Sequence, residues 1–130
     1  MEVRDGQSNI DAVGEFLGLG RGAAERLCGE RRVELAIEDG EPVGAVAYDV
    51  REGAVHVTRL AGTQEAQVRL LESPLRFAAS EGLPAESVVP ESESETRRAL
   101  RAAGFEEKGA GPRFEGKHTV EYRHDDAAES

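Results

Sequence analysis

The stretch Glu93-Ser94-Glu95-Thr96-Arg97-Arg98-Ala99-Leu100-Arg101-Ala102-Ala103-Gly104-Phe105 decides how the rest of the chain is read. With Glu91 and Ser92 before it, it opens on acids and cap-forming serines. Arg97, Arg98 and Arg101 follow. Acid first and base last complements a helix dipole, so the charge run reads as structural. Leu100 and Ala103 fall on the inward face. Gly104 ends the helix and Phe105 packs back onto it. A β-branched run, Ala85 to Val89, precedes this helix as a strand. Two strands follow it, Phe105 to Gly109 and Lys117 to Arg123, joined through Ala110 to Gly116.

Further upstream the signals alternate. Glu2 to Asp5 reads as a first strand closed by Gly6, and Ser8 with Asp11 as a helix-entry capping pair. Ile10, Val13, Phe16 and Leu17 share a helical face that ends at Gly18 and Gly20. A second helix buries Ala23, Ala24, Leu27 and Cys28 and ends at Gly29. Cys28 is expected as a small buried hydrophobe. Val33, Leu35 and Ile37 alternate with Glu34, Ala36 and Glu38 at strand period. Asp39-Gly40 is a two-residue turn pair, and Val43 to Val50 returns as a central strand with apolar residues on both faces. Arg51-Glu52-Gly53 turns into a third strand, Ala54 to Leu60. Helical spacing resumes with Ala66, Leu70, Leu71, Leu75, Ala78 and Ala79, and stops at Gly82. Pro74 either kinks this helix or separates two short ones. The order β-α-α-β-β-β-α-β-α-β-β predicts an α/β (α+β) fold. Its sheet is mixed, mostly antiparallel, of about six to seven strands, with helices on both faces. Residues 1–124 read as one domain and 125–130 as a disordered acidic tail.

Composition narrows the function. The 130 residues carry a net charge of −10, and only Lys108 and Lys117 are lysines. A uniformly acidic domain is a poor nucleic-acid binder, because phosphate neutralisation needs a basic face. Acid excess with sparse lysine fits a halophilic protein in a salt-accumulating cytoplasm; the alternative is an ordinary acidic cytosolic protein. No apolar run approaches the roughly 18 residues of a membrane span, and no secretion signal opens the chain, so a cytoplasmic protein is expected. A lone cysteine excludes an internal disulfide, and no Cys/His set has zinc spacing, so no metal is expected.

The element order and three local motifs resemble the GNAT superfamily of acyl-CoA-dependent N-acetyltransferases, from Val3 to Tyr122. The motifs are the Glu93–Phe105 helix with its Gly-Phe end, Asp39-Gly40-Glu41-Pro42-Val43-Gly44, and Gly111-Pro112-Arg113-Phe114 followed by Thr119-Val120-Glu121-Tyr122. The resemblance implies an acyl-CoA N-acyltransferase-like fold, acetyl-CoA as cosubstrate, a small-molecule or peptide amine as acceptor, and a homodimer. It also implies a diphosphate loop of pattern Gln/Arg-x-x-Gly-x-Gly/Ala, where small residues let backbone N–H groups reach phosphate at a helix start. Counting back from Gly82 puts that loop on Gly62-Thr63-Gln64-Glu65-Ala66-Gln67, and a second register starts it at Gln64. Neither register has the two glycines; in the first they are Glu65 and Gln67. Leu60, Gly62, Gln64, Glu65, Ala66, Gln67, Val68 and Arg69 are the candidate cofactor-binding residues.

The family's Tyr acid, five residues before the Phe of the Gly-Phe pair, is replaced by Leu100, and Glu93 stands near its Asn. His56 is the candidate base, directly or through water, although a solvated strand histidine is the plainer assignment. His118 and His124 read as surface residues. Ser87, on the strand flanking the reacting centre, is a second candidate catalytic residue. Glu86 and Glu91 bracket it, Glu91 reading as a helix-start residue. Three functions stand open: a divergent acetyltransferase, a catalytically reduced binding or regulatory module of the same fold, and a plain structural or dimerisation domain.

Overall fold

A computed structural model describes residues 1–125, so the expected acidic tail lies outside the described residues from Asp126 onward. The described chain runs β1 (Glu2–Asp5), α1 (Ile10–Leu17), α2 (Arg21–Glu30), β2 (Arg32–Glu38), β3 (Glu41–Arg51), β4 (Ala54–Gly62), α3 (Gln64–Glu81), β5 (Ala85–Pro90), α4 (Ser94–Ala102), β6 (Glu106–Ala110) and β7 (Thr119–His124). All seven strands join one sheet in the order β1-β2-β3-β4-β5-β7-β6. The β4–β5 pair is parallel and the other pairs are antiparallel. The α3 crossover explains why: a parallel neighbour needs a connection long enough to return to the same sheet end.

The alternation in β2 sorts its side chains between two cores. Val33, Leu35 and Ile37 meet Val13 and Cys28 under α1 and α2, whereas Ala36 meets Ala66, Leu70 and Leu71 under α3. Helices therefore cover both faces, and Cys28 is buried as its type predicts. Asp39 and Gly40 take φ of 53° and 79°, and Glu52 and Gly53 take 51° and 77°. Two positive-φ residues in succession match the right-handed twist of the strands they join.

Three local expectations need correction or closure. Ser8 and Asp11 form no capping box: Asn9 is the N-cap of α1 and makes no side-chain cap bond. Asp5 takes over instead, accepting from the Gln7 N–H and the Ser8 hydroxyl, as short polar side chains do when they compete with a helix for local donors. Gly29 does not end α2, which continues to Glu30; Arg31 is already extended and leads straight into β2, so no left-handed turn is needed. Pro74 lies buried inside one continuous helix, Gln64–Glu81, that Gly82 closes at φ 68°.

Two of the arginines of α4 are held in structural bonds. Arg97 and Arg101 donate to Glu107 Oε1, and the Tyr122 hydroxyl joins them. Hydrogen bonds from Arg101, then Arg97 and Tyr122, hold the Glu107 carboxyl below its ordinary range. This cluster ties α4 to the β6–β7 pair and commits Tyr122, which is buried; the other tyrosine, Tyr48, packs against Phe77 of α3.

Candidate active site

The two central strands part. Pairing between β4 and β5 covers Val55–Ala85, His56–Glu86 and Val57–Ser87 and goes no further. Yet β4 stays bonded to β3 as far as Gly62, and β5 stays bonded to β7 as far as Pro90. Each strand thus follows its outer neighbour and leaves its inner edge open. The residue that diverts β4 is Thr58. Ala47 faces Arg59 while Tyr48 faces Val57, so Thr58 is one extra residue, a bulge placed directly after the last β5 pair. Bulges bend a strand and steepen its twist, which is what a fork requires. On the other arm Pro90 has no N–H to offer.

Ser87 closes the vertex. It is 5 % exposed, and its hydroxyl donates to the Val57 carbonyl at 3.0 Å. A side chain therefore satisfies the last β4 carbonyl before the strands separate. Ser87→Ala leaves that buried acceptor bare and should cost about 1–3 kcal/mol, read by urea unfolding at constant m-value. An unchanged midpoint would show that the fork holds without it.

The opening is a cleft of about 710 Å³, walled by Val57–Gly62 of β4, Gln67 of α3, Ser87–Pro90 of β5, and Ser92–Thr96 at the start of α4. The ionisable side chains on its walls are Arg59, Glu93 and Glu95, so the rim is acidic.

The predicted cofactor loop is divided between two faces. Leu60, Gly62 and Gln67 line the cleft. Gln64, Glu65, Val68 and Arg69 instead line a shallow groove on the far side of α3 with Met1 and Glu72. Glu65 is exposed there, so the side chain standing at the cleft in a glycine position is Gln67. Ala66 is fully buried against β3: a Cβ at Gly44 would lie 2.8 Å from the Ala66 Cβ. Gly62 is held tighter still, with φ +120° and 2.2 Å between a built Cβ and the Val43 carbonyl oxygen.

Gln67 is 2 % exposed. Its Nε2 donates to the Gly62 carbonyl at 2.8 Å, which leaves Oε1 buried without a donor. Such an acceptor typically costs about 1–3 kcal/mol. The Thr63 hydroxyl caps α3 by accepting the Ala66 N–H at 3.1 Å. Sequence reasoning had no signal for the bulge at Thr58 or for the vertex bond of Ser87; the Thr63 cap was legible as a threonine before an apolar-periodic run.

His56 lies one residue below the fork and is not among the residues that wall the cleft. Its Nε2 is 3.2 Å from the Arg51 carbonyl and 3.8 Å from Glu86 Oε1. Glu86 also pairs with Arg123 at 2.8 Å. His118 and His124 lie on the other arm, His124 with its ring edge toward Phe105. Leu100 is fully buried in the core under α3, and Glu91 precedes the helix, its carbonyl accepting from Arg97. Among the described residues no group of His, Cys, Asp and Glu is placed to hold a metal ion. No described helix is long and apolar enough to cross a membrane.

Helices on both faces of a mixed seven-stranded sheet, with the central parallel pair parted, define the acyl-CoA N-acyltransferase-like fold of the GNAT acetyltransferases. Solved structures similar to the chain carry the same architecture. A ribosomal-protein-alanine N-acetyltransferase from Brucella melitensis matches with TM-score 0.76 at 12 % identity, over 95 % of this chain and 98 % of that one. The aminoglycoside 6'-N-acetyltransferase from Enterococcus faecium matches with TM-score 0.74 at 14 % identity, over 95 % and 96 %. A GNAT-family acetyltransferase from Bacillus cereus matches with TM-score 0.71 at 16 % identity, over 94 % of each chain. No protein-family model matches the sequence, and comparison with curated proteins finds no match.

Acetyl-CoA, which this fold implies, meets the site unevenly. The open β4 edge suits the amide-bearing arm of the molecule, since an extended amide chain can bond to it as a strand would. The diphosphate end does not fit. Gln67 fills a position where glycine would expose backbone, Thr63 has taken the Ala66 N–H, and Glu93 and Glu95 bring like charge to the opposite wall.

Proposed function

We propose that the protein is an N-acetyltransferase that moves an acetyl group from a thioester to an amine within the parted strands. The observation that carries this reading is the fork itself. It opens unpaired strand backbone at the middle of a sheet whose overall fold is similar to that of solved acetyltransferases.

The chemistry asks little of side chains. An amine nitrogen attacks the thioester carbonyl carbon, the C–N bond forms, and the C–S bond breaks with its electron pair leaving on sulfur. The nitrogen gives up its proton to water in the cleft, and the thiolate takes one from the same source. The protein supplies position and polarity: a backbone N–H of the Thr58–Gly62 segment holds the carbonyl oxygen as it gains charge. Ser87 acts as a positioning residue by fixing the vertex through Val57. His56 keeps a structural place below the fork, beside Glu86. The acidic rim of Glu93 and Glu95 favours a cationic amine, on a small molecule or a peptide end.

The second reading is a catalytically reduced module of the same fold. It draws on Leu100, whose burial in the core leaves no tyrosine acid on α4, and on the self-capped start of α3. Incubation with S-acetylpantetheine or acetyl-CoA and a panel of polyamines, aminoglycosides and basic peptides separates the two. Release of free thiol that depends on an added amine supports transfer. Absence of thiol release with both thioesters across the panel leaves the reduced module as the function.

A further inference from the structure

We infer that the cleft selects a thioester carried on an uncharged, amide-bearing arm, with Gln67 as the specificity-determining residue that turns away a nucleotide diphosphate. The inference rests on the acetyl-transfer reading and adds the class of donor to it. Gln67 stands where a diphosphate loop needs glycine. Its amide nitrogen is fixed on the Gly62 carbonyl and its Oε1 is buried, so the side chain fills the turn. A diphosphate there meets a packed side chain in place of the exposed backbone N–H groups it needs. At 2 % exposure the side chain cannot swing aside without giving up its bond to Gly62.

The surroundings agree. The Thr63 hydroxyl occupies the Ala66 N–H that an anion at the start of α3 would use. Across the cleft stand Glu93 and Glu95, against Arg59 alone as a cation on the walls. The edge of β4 from Thr58 to Ala61, unpaired with β5, offers alternating N–H and C=O groups, the partners that successive arm amides need. An uncharged amide arm thus satisfies the strand edge, whereas a diphosphate finds neither free backbone donors at Gln67 nor a favourable field from the walls.

Calorimetric titration of the full chain with S-acetylpantetheine and with acetyl-CoA tests the inference. S-acetylpantetheine should bind about tenfold more tightly. Gln67→Met keeps the volume and therefore the block, and should leave the preference for S-acetylpantetheine in place. Gln67→Gly should shift the preference toward acetyl-CoA. The double variant Glu93→Gln, Glu95→Gln, at exposed positions, should shift it the same way. Tighter binding of acetyl-CoA by the unaltered protein, or a preference that neither Gln67→Gly nor the double variant moves, overturns the donor assignment and leaves acetyl transfer standing. Binding of neither thioester overturns the acetyl-transfer reading itself.

Discussion

Gly62→Ala should lose roughly 3–5 kcal/mol of folding stability, the largest loss expected of a one-carbon change in this chain. Two costs add. At φ +120° an L side chain strains the backbone, and the new methyl carbon would sit 2.2 Å from the Val43 carbonyl oxygen and 2.5 Å from the Gly44 Cα. Neither neighbour is a flexible side-chain end, so β3 and β4 must separate at the point where α3 begins. Gly53→Ala isolates the first cost. It also has positive φ, at +77°, but finds nothing within 4 Å, and should lose only about 1 kcal/mol. Urea denaturation of both variants checks the comparison. Equal losses would mean that strain alone, without the contact on β3, sets the penalty. With total stability of a small domain near 5–15 kcal/mol, Gly62→Ala should also lower the yield of folded protein.

Leu100→Ala should cost about 2–5 kcal/mol, because a fully buried leucine leaves both lost transfer energy and a cavity. The site beneath α4 is bounded by α3 and by the sheet, two elements that relax little. The same packing makes a functional statement. Leu100→Tyr places at this position the tyrosine that the GNAT resemblance would put there, yet the ring must enter a filled core, and overpacking of this kind costs about 1–3 kcal/mol. The substitution should therefore destabilise and should not raise the rate of amine-dependent thiol release. A gain in that rate would show that α4 can deliver its side chain to the cleft, and that Leu100 replaced a working acid.

Much of the fold was legible because its punctuation is local. Asp39-Gly40, Gly82 and Gly104-Phe105 each mark a place where the chain must turn, and helical or strand periodicity fills the intervals. Local rules failed where several residues compete for one donor or where the path continues without a turn. Asp5 won over Ser8, and Gly29 stayed within its helix because Arg31 was already extended. The site was harder to read. The loop pattern pointed to residues 62–69, but a helix start sends neighbouring side chains to different faces. Glu65, at the first of the two glycine positions, belongs to the outer groove; Gln67, at the second, stands in the cleft. The fork depends on the register of three strands at once, and one extra residue at Thr58 leaves no trace in composition or periodicity.

The fork also gives the molecule two raw strand edges in the interior of its sheet. An exposed edge invites another extended chain to add to it, the route by which β proteins aggregate or exchange strands. Outer edges are commonly blunted by charge, and here the same guard stands inside: Arg59 on one arm, Glu93 and Glu95 across from it, and Pro90 at the end of the other. The acids that disfavour a nucleotide therefore also police the opening against stray polypeptide. What enters must be slim, extended and free of negative charge, so the cost of keeping a sheet open is already written into its choice of guest.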